Sequence, residues 1–66
     1  MAVAKIIEIS AESPEGFEAA IREGVTRASK TVKNIKSAWV SDQQVEIKSD
    51  KIVNYRVHLK ITFVID

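Results

Sequence analysis

The sequence has no cysteine, a single proline, two glycines and one tryptophan among few aromatic residues. Without cysteine there is no disulfide scaffold, no thiolate nucleophile and no thiolate-ligated zinc or iron-sulfur centre. So little glycine and proline, in a chain 45% hydrophobic and 29% charged, excludes collagen-like, low-complexity and disordered organisation. A charge excess is also missing. Ten Lys and Arg against nine Asp and Glu leave a net charge of +1, without the basic surplus from which nucleic-acid or anionic-membrane binding draws its affinity. No long apolar run occurs, so neither a transmembrane helix nor a signal-peptide core is expected, and a cytoplasmic protein is the default. What remains is 66 residues, enough for one small domain spanning 1–66. A lone core of that size rarely supplies more than about 3 to 5 kcal/mol, so oligomerisation is the expected source of further stability.

Four segments follow from the residue pattern. Val3 to Ser10 reads as a strand, because Val3, Ile6, Ile7 and Ile9 are β-branched. Ser13 is placed to cap a helix, with Pro14 at its first position and Glu15 at the positive end of its dipole. Phe17, Ile21, Val25, Ala28 and Val32 then form one apolar stripe at helical spacing, predicting an amphipathic helix of about four to five turns. Ala20, Gly24 and Ala28 make a neighbouring row of small side chains. Gly24 costs roughly 1 kcal/mol against alanine inside a helix, which points to close packing there.

Ile35 to Lys48 and Ile52 to Ile65 read as two long strands joined by a three-residue turn at Ser49, Asp50 and Lys51. In the last strand, odd positions from Val53 to Ile65 are apolar and even ones from Asn54 to Thr62 polar, so one face is dry. A three-residue turn sets Val45 and Ile47 on that same face. The irregular pattern from Val40 to Gln44 predicts a bulge. The simplest fold is α+β: a three-stranded antiparallel sheet with the last strand in the middle, wrapped on one helix, in the order strand, helix, strand, strand. Long strands overhang so short a helix, leaving apolar side chains at the far end of the hairpin for a second copy to cover.

The helix end and turn, Arg27-Ala28-Ser29-Lys30-Thr31-Val32-Lys33-Asn34-Ile35, and the final strand, Tyr55-Arg56-Val57-His58-Leu59-Lys60-Ile61-Thr62-Phe63, resemble the dodecins, and the likeness runs from Lys5 to Ile65. Ser13-Pro14 fits the family as well. The resemblance implies a hollow homododecamer that stores flavin, bound in pairs at two-fold contacts. Flavin-binding members stack the isoalloxazine on a tryptophan at the start of the second strand, and that position is Ser37 here. Trp39 lies two residues later, roughly 6 to 7 Å along a strand. The glutamine that contacts the flavin after the aromatic residue of the last strand is Arg56 here, and Asp42 matches a polar position close to the site. With both contacts changed, the resemblance implies a kept assembly and a weakened or re-purposed site. Ser37, Trp39, Asp42 and Arg56 are the candidate residues for a flavin, FMN or riboflavin, and the alternative is a structural assembly that has lost flavin and holds a cation such as calcium or another small molecule.

Each candidate also has a plainer reading. Trp39 is a ligand platform or a core or interface side chain. Arg56 binds a phosphate or carboxylate, or pairs with Glu46 or Asp42. His58 falls opposite Asp42 as a surface pair. The alternative cofactor is calcium, held where copies bring Asp42, Glu46 and Asp50 together, since hard cations need several oxygen ligands. One chain scatters them too widely to form a cage. No nucleophile elbow, glycine-rich phosphate loop or metal spacing occurs, so the expected role is binding, not catalysis. The expected partners are copies of the chain and a small molecule, with neither nucleic acid nor membrane.

Overall fold

The computed structural model describes residues 3–65, so residues 1, 2 and 66 of the expected domain lie outside the described residues. Strand β1 (Val3–Ser13), helix α1 (Phe17–Ala28), strand β2 (Ile35–Lys48) and strand β3 (Lys51–Ile65) follow in that order. The sheet order is β1-β3-β2, with β3 antiparallel to both neighbours. This is the α+β architecture expected from the alternation in the last strand. Val57, Leu59 and Ile61 of β3 are fully buried against Ala20 and Ala28 of α1. Ile7, Ile9 and Ala11 of β1 and Val40 of β2 pack around them.

β1 runs three residues past the expected Ser10, because Ala11, Glu12 and Ser13 keep pairing with Val57, Arg56 and Tyr55. Ser13 does not cap the helix. Its hydroxyl accepts the Glu15 amide at 3.1 Å, closing a turn ahead of α1, and the cap is Gly16 with φ 149°. That backbone value is one L side chains rarely adopt, which is why glycine serves there. Ending at Ala28, α1 has 12 residues and is shorter than the apolar stripe suggested; Val32 instead donates to the Ala28 carbonyl at 2.9 Å, in the turn beyond it. The deeply buried row is Ala20, Gly24 and Ala28, with Phe17, Ile21 and Val25 half-buried beside it. Small side chains bring helix and sheet together: a Cβ on Gly24 would lie 3.0 Å from the Ala11 Cβ and 3.0 Å from Leu59 Cδ1.

The hairpin corrects the expected three-residue turn. Lys51 belongs to β3 and pairs with Lys48, leaving Ser49 and Asp50 as a two-residue turn with φ of 52° and 64°. Positive φ at both positions is what a type I′ turn requires, and its twist matches that of the strands. The register then slips by one between Glu46 and Ile47, where Val53 is the extra residue. That slip restores the pairing of Val45 with Tyr55, which a three-residue turn was expected to produce. A second slip falls between Val40 and Asp42, inside the stretch where a bulge was expected, and a third between Ile35 and Ser37.

Twelve helical residues cover about 18 Å, whereas the molecule is 51 Å long. The hairpin therefore overhangs, and Ile47, Ile52 and Val53 near its tip are exposed.

Candidate functional site

The outer face of the sheet, turned away from α1, carries every candidate residue. Cross-strand partners share a face. Ser37 stands opposite Thr62, Trp39 opposite Lys60, Asp42 opposite His58 and Gln44 opposite Arg56, all beside the polar even positions of β3. The bulge at Ser41 is what places Trp39 here. An unbroken odd-with-odd register would set Trp39 against Ile61 in the core, and one extra residue turns it to the opposite face. Because Ser37 and Trp39 are two apart, the indole is displaced along the strand yet remains on the face that Ser37 shares.

Trp39 is 65% exposed, so it is not a core residue of this chain. The Lys60 ammonium lies 4.9 Å from the ring centroid, within cation–π range. Beside this pair is a groove of about 350 Å³ lined by Ser10, Asp42, Gln44, Arg56 and His58, among others. Asp42 makes no hydrogen bond or ion pair recorded among the described residues. It does not pair with His58 through its side chain, although the two are opposite; His58 Nε2 instead meets Glu8 Oε1 at 2.9 Å. The Arg56 guanidinium is held twice. Its Nε donates to Glu12 Oε2 at 2.9 Å and its Nη2 to Glu46 Oε1 at 3.1 Å. Asn54 Nδ2 also donates to Glu46 Oε1 at 2.9 Å. The expected pairing of Arg56 with Glu46 is present, and the pairing with Asp42 is not.

Glu12 was missed because β1 was expected to stop at Ser10; Glu8 lay within the expected strand, but its register against β3, opposite Lys60, was not drawn. Continuing its alternation through Glu8, Ser10 and Glu12 would have set both carboxylates on the face of Arg56, His58 and Lys60. Hydrogen bonds from Arg56 and then Asn54, with the attraction of the guanidinium, hold the Glu12 carboxyl below its ordinary value of 4.5. The His58 hydrogen bond, aided by the nearby Lys60 charge, does the same for Glu8. In turn the Glu12 hydrogen bond raises Arg56 above its usual value.

A depressed carboxyl value stabilises the folded state above the unfolded value and loses that contribution as pH falls through the folded one. Glu12→Gln is therefore expected to lower the urea midpoint at pH 7, with the gap to the unsubstituted chain closing as pH drops below the ordinary value of 4.5. A gap of constant size down to pH about 3 would contradict this linkage.

No group of three or more His, Asp or Glu side chains among the described residues gathers to hold a metal ion. Asp42, Glu46 and Asp50 stay apart: Glu46 is bonded to Arg56 and Asn54, and Asp50 sits in the hairpin turn. No helix among the described residues is long and apolar enough to cross a membrane.

A family model described as Dodecin matches residues 3–66. A calcium dodecin of Mycobacterium tuberculosis is 36% identical over 63 residues, covering 96% of this chain and 89% of that protein. The dodecin from Streptomyces davaonensis superposes with a TM-score of 0.93 at 31% identity, over 98% of this chain and 96% of that one. A Thermus thermophilus dodecin variant gives a TM-score of 0.94 at 30% identity, over 100% and 98% of the two chains. The crystal structure of the M. tuberculosis calcium dodecin, described as having a novel calcium-binding site, gives a TM-score of 0.84 at 34% identity, over 97% and 91%.

Proposed function

The chain belongs to the dodecin family, whose members bind small ligands, and from that premise we propose that it stores a flavin, FMN or riboflavin, on Trp39 in a hollow homododecamer. Residues 1–66 act as one dodecin-like unit in this reading, and sequestration, not catalysis, is the role. The observation that carries it is an exposed indole beside a polar groove on one face of the sheet. A planar heteroaromatic ring gains from stacking on such a platform because dispersion and the ring quadrupole add to the area buried.

The residues present fit that ligand. The Lys60 ammonium lies over the Trp39 ring, so a stacked ligand takes the opposite face or displaces it; Trp39 is 65% exposed. Ser37 adds a hydroxyl on the same face. Asp42 offers an acceptor with no recorded protein partner, and Arg56 keeps donors beyond the two that Glu12 and Glu46 use, since a guanidinium has five. Together Asp42 and Arg56 orient the ring and its substituents.

The test is quenching of flavin fluorescence at micromolar protein. Trp39→Ala is expected to weaken binding about tenfold to a hundredfold, the range that aromatic stacking of a heterocycle supports. Unaltered quenching in that variant would remove the indole as the platform.

A second reading is a cation such as calcium, favoured by the bare Asp42 carboxylate and by the kinship to a calcium dodecin. One chain does not fit a calcium ion by itself, because its carboxylates are dispersed or already bonded to Arg56 and His58. Copies related by symmetry would have to supply the remaining oxygens.

A further inference from the structure

We infer that the groove beside Trp39 selects a ligand whose tail is neutral and hydroxyl-bearing, and disfavours one whose tail carries a phosphate. This rests on the stacking reading above and specifies which ligand the same site takes.

The basis is the charge laid out along the outer face. In the rows from Trp39–Lys60 to Glu46–Asn54, with the β1 residues that complete them, four carboxylates face two permanent cations. The carboxylates are Glu8, Glu12, Asp42 and Glu46, and the cations are Arg56 and Lys60. Four against two leaves this strip negative. Arg56 would be the natural phosphate receptor, but Glu12 and Glu46 already hold it at 2.9 and 3.1 Å. A phosphate taking the remaining Arg56 donors would sit beside both carboxylates and meet their repulsion. Lys60 lies by the Trp39 ring, and its charge acts on Glu8.

The position of Asp42 decides the sign. Its row adjoins that of Trp39 on the same face, roughly 6 to 7 Å away along the strand. A substituent running from a stacked ring into the groove therefore meets the Asp42 carboxylate first, then Gln44. A hydroxyl donates to that carboxylate, and the Gln44 carboxamide both donates and accepts. A phosphate brings about 1.5 to 2 negative charges at pH 7 and no matching donor. The groove lining thus suits a polyol and repels a phosphate ester.

The experiment is a set of fluorescence titrations of the full chain with riboflavin, FMN and the tail-less lumichrome. Riboflavin is expected to bind about fivefold to tenfold more tightly than FMN at about 0.02 M salt, a ratio set by repulsion at close range. The ratio should shrink at about 0.5 M salt, where the Debye length is only a few ångström, and should shrink also in Asp42→Asn. Lumichrome should bind less tightly than riboflavin. FMN binding as tightly as riboflavin, or a ratio indifferent to both salt and Asp42→Asn, overturns the inference and leaves stacking on Trp39 intact. Failure of the unsubstituted chain to quench any of the three removes the stacking reading, and the tail preference with it.

Discussion

In the homododecamer proposed above, Ile47→Lys combined with Ile52→Asp is expected to collapse the particle to one or two chains while leaving the fold of each chain in place. The two isoleucines are cross-strand partners near the hairpin tip, 61% and 51% exposed, and lie beyond the reach of α1. In the proposed assembly they are covered by neighbouring copies. Carrying two charged side chains out of water at such a contact costs several kcal/mol per site even when they are paired, repeated at every equivalent contact. The lysine and aspartate face each other across the strands, so the hairpin itself suffers little, as opposite charges at paired positions are mildly favourable. Light scattering or native mass measurement reads the particle size and circular dichroism reads the fold. An unchanged particle would show that the tip does not form the contact, and an unsubstituted chain that stays monomeric at micromolar concentration would end the assembly proposal.

Gly24→Leu carries the largest expected loss of stability within the chain. Even the first atom of a side chain at this position meets Ala11 Cβ and Leu59 Cδ1 at 3.0 Å and Ile9 Cδ1 at 3.4 Å. The Ala11 atom is fixed to the strand backbone, and Leu59 is fully buried, so neither can yield without moving β1 or the core. Overpacking of this kind costs about 1 to 3 kcal/mol and occasionally more, against a total of about 3 to 5 kcal/mol for a lone core of this size. Gly24→Ala sets a gain of about 1 kcal/mol in helix propensity against the same contacts, and a small net loss is expected. Urea unfolding at fixed protein concentration is the measurement, since association shifts the midpoint by mass action. A leucine variant with an unchanged midpoint would mean that helix and sheet do not approach as closely as Gly24 indicates.

Much of the fold was legible because β3 writes its two faces in strict alternation, from Tyr55 through Phe63. The close approach at Gly24 could also be read, since a glycine inside a helix between two alanines has a cost that packing must offset. The ends of elements were harder. Ser13-Pro14 has the chemistry of a helix start, yet the same hydroxyl serves a turn equally well, and Gly16 has no side chain to announce that it is the cap. The hairpin turn was misjudged because a two-residue turn followed by a slip at Val53 gives the same partners, from Val45 onward, as a three-residue turn without one. Periodicity cannot separate those two solutions.

In the candidate site, the pairing of Arg56 with Glu46 followed from register, whereas Glu12 remained hidden because Ala11-Glu12-Ser13 lacks the β-branched residues that mark a strand. The orientation of Trp39 depends on a single extra residue at Ser41. A bulge was expected in that stretch, but its exact place decides whether the indole enters the core or stands beside Lys60, and only the folded pairing fixes it.

The placement of β3 between β1 and β2 has a consequence for how the protein is made. The middle strand leaves the ribosome after both strands it pairs with, so a nascent chain holding everything up to Asp50 has two strands and a helix but no sheet to join them. The β2–β3 hairpin closes across two residues and can form as soon as β3 emerges, while β1 must return over most of the chain to pair Val3 with Ile65, a closure whose entropic cost grows only slowly with length but which delays folding. During that interval the β1-facing edge of the hairpin is open to any other growing chain on the same message. Translation in close succession on one polysome would therefore favour exchange of β1 between neighbours, and dilution of nascent chains would suppress it.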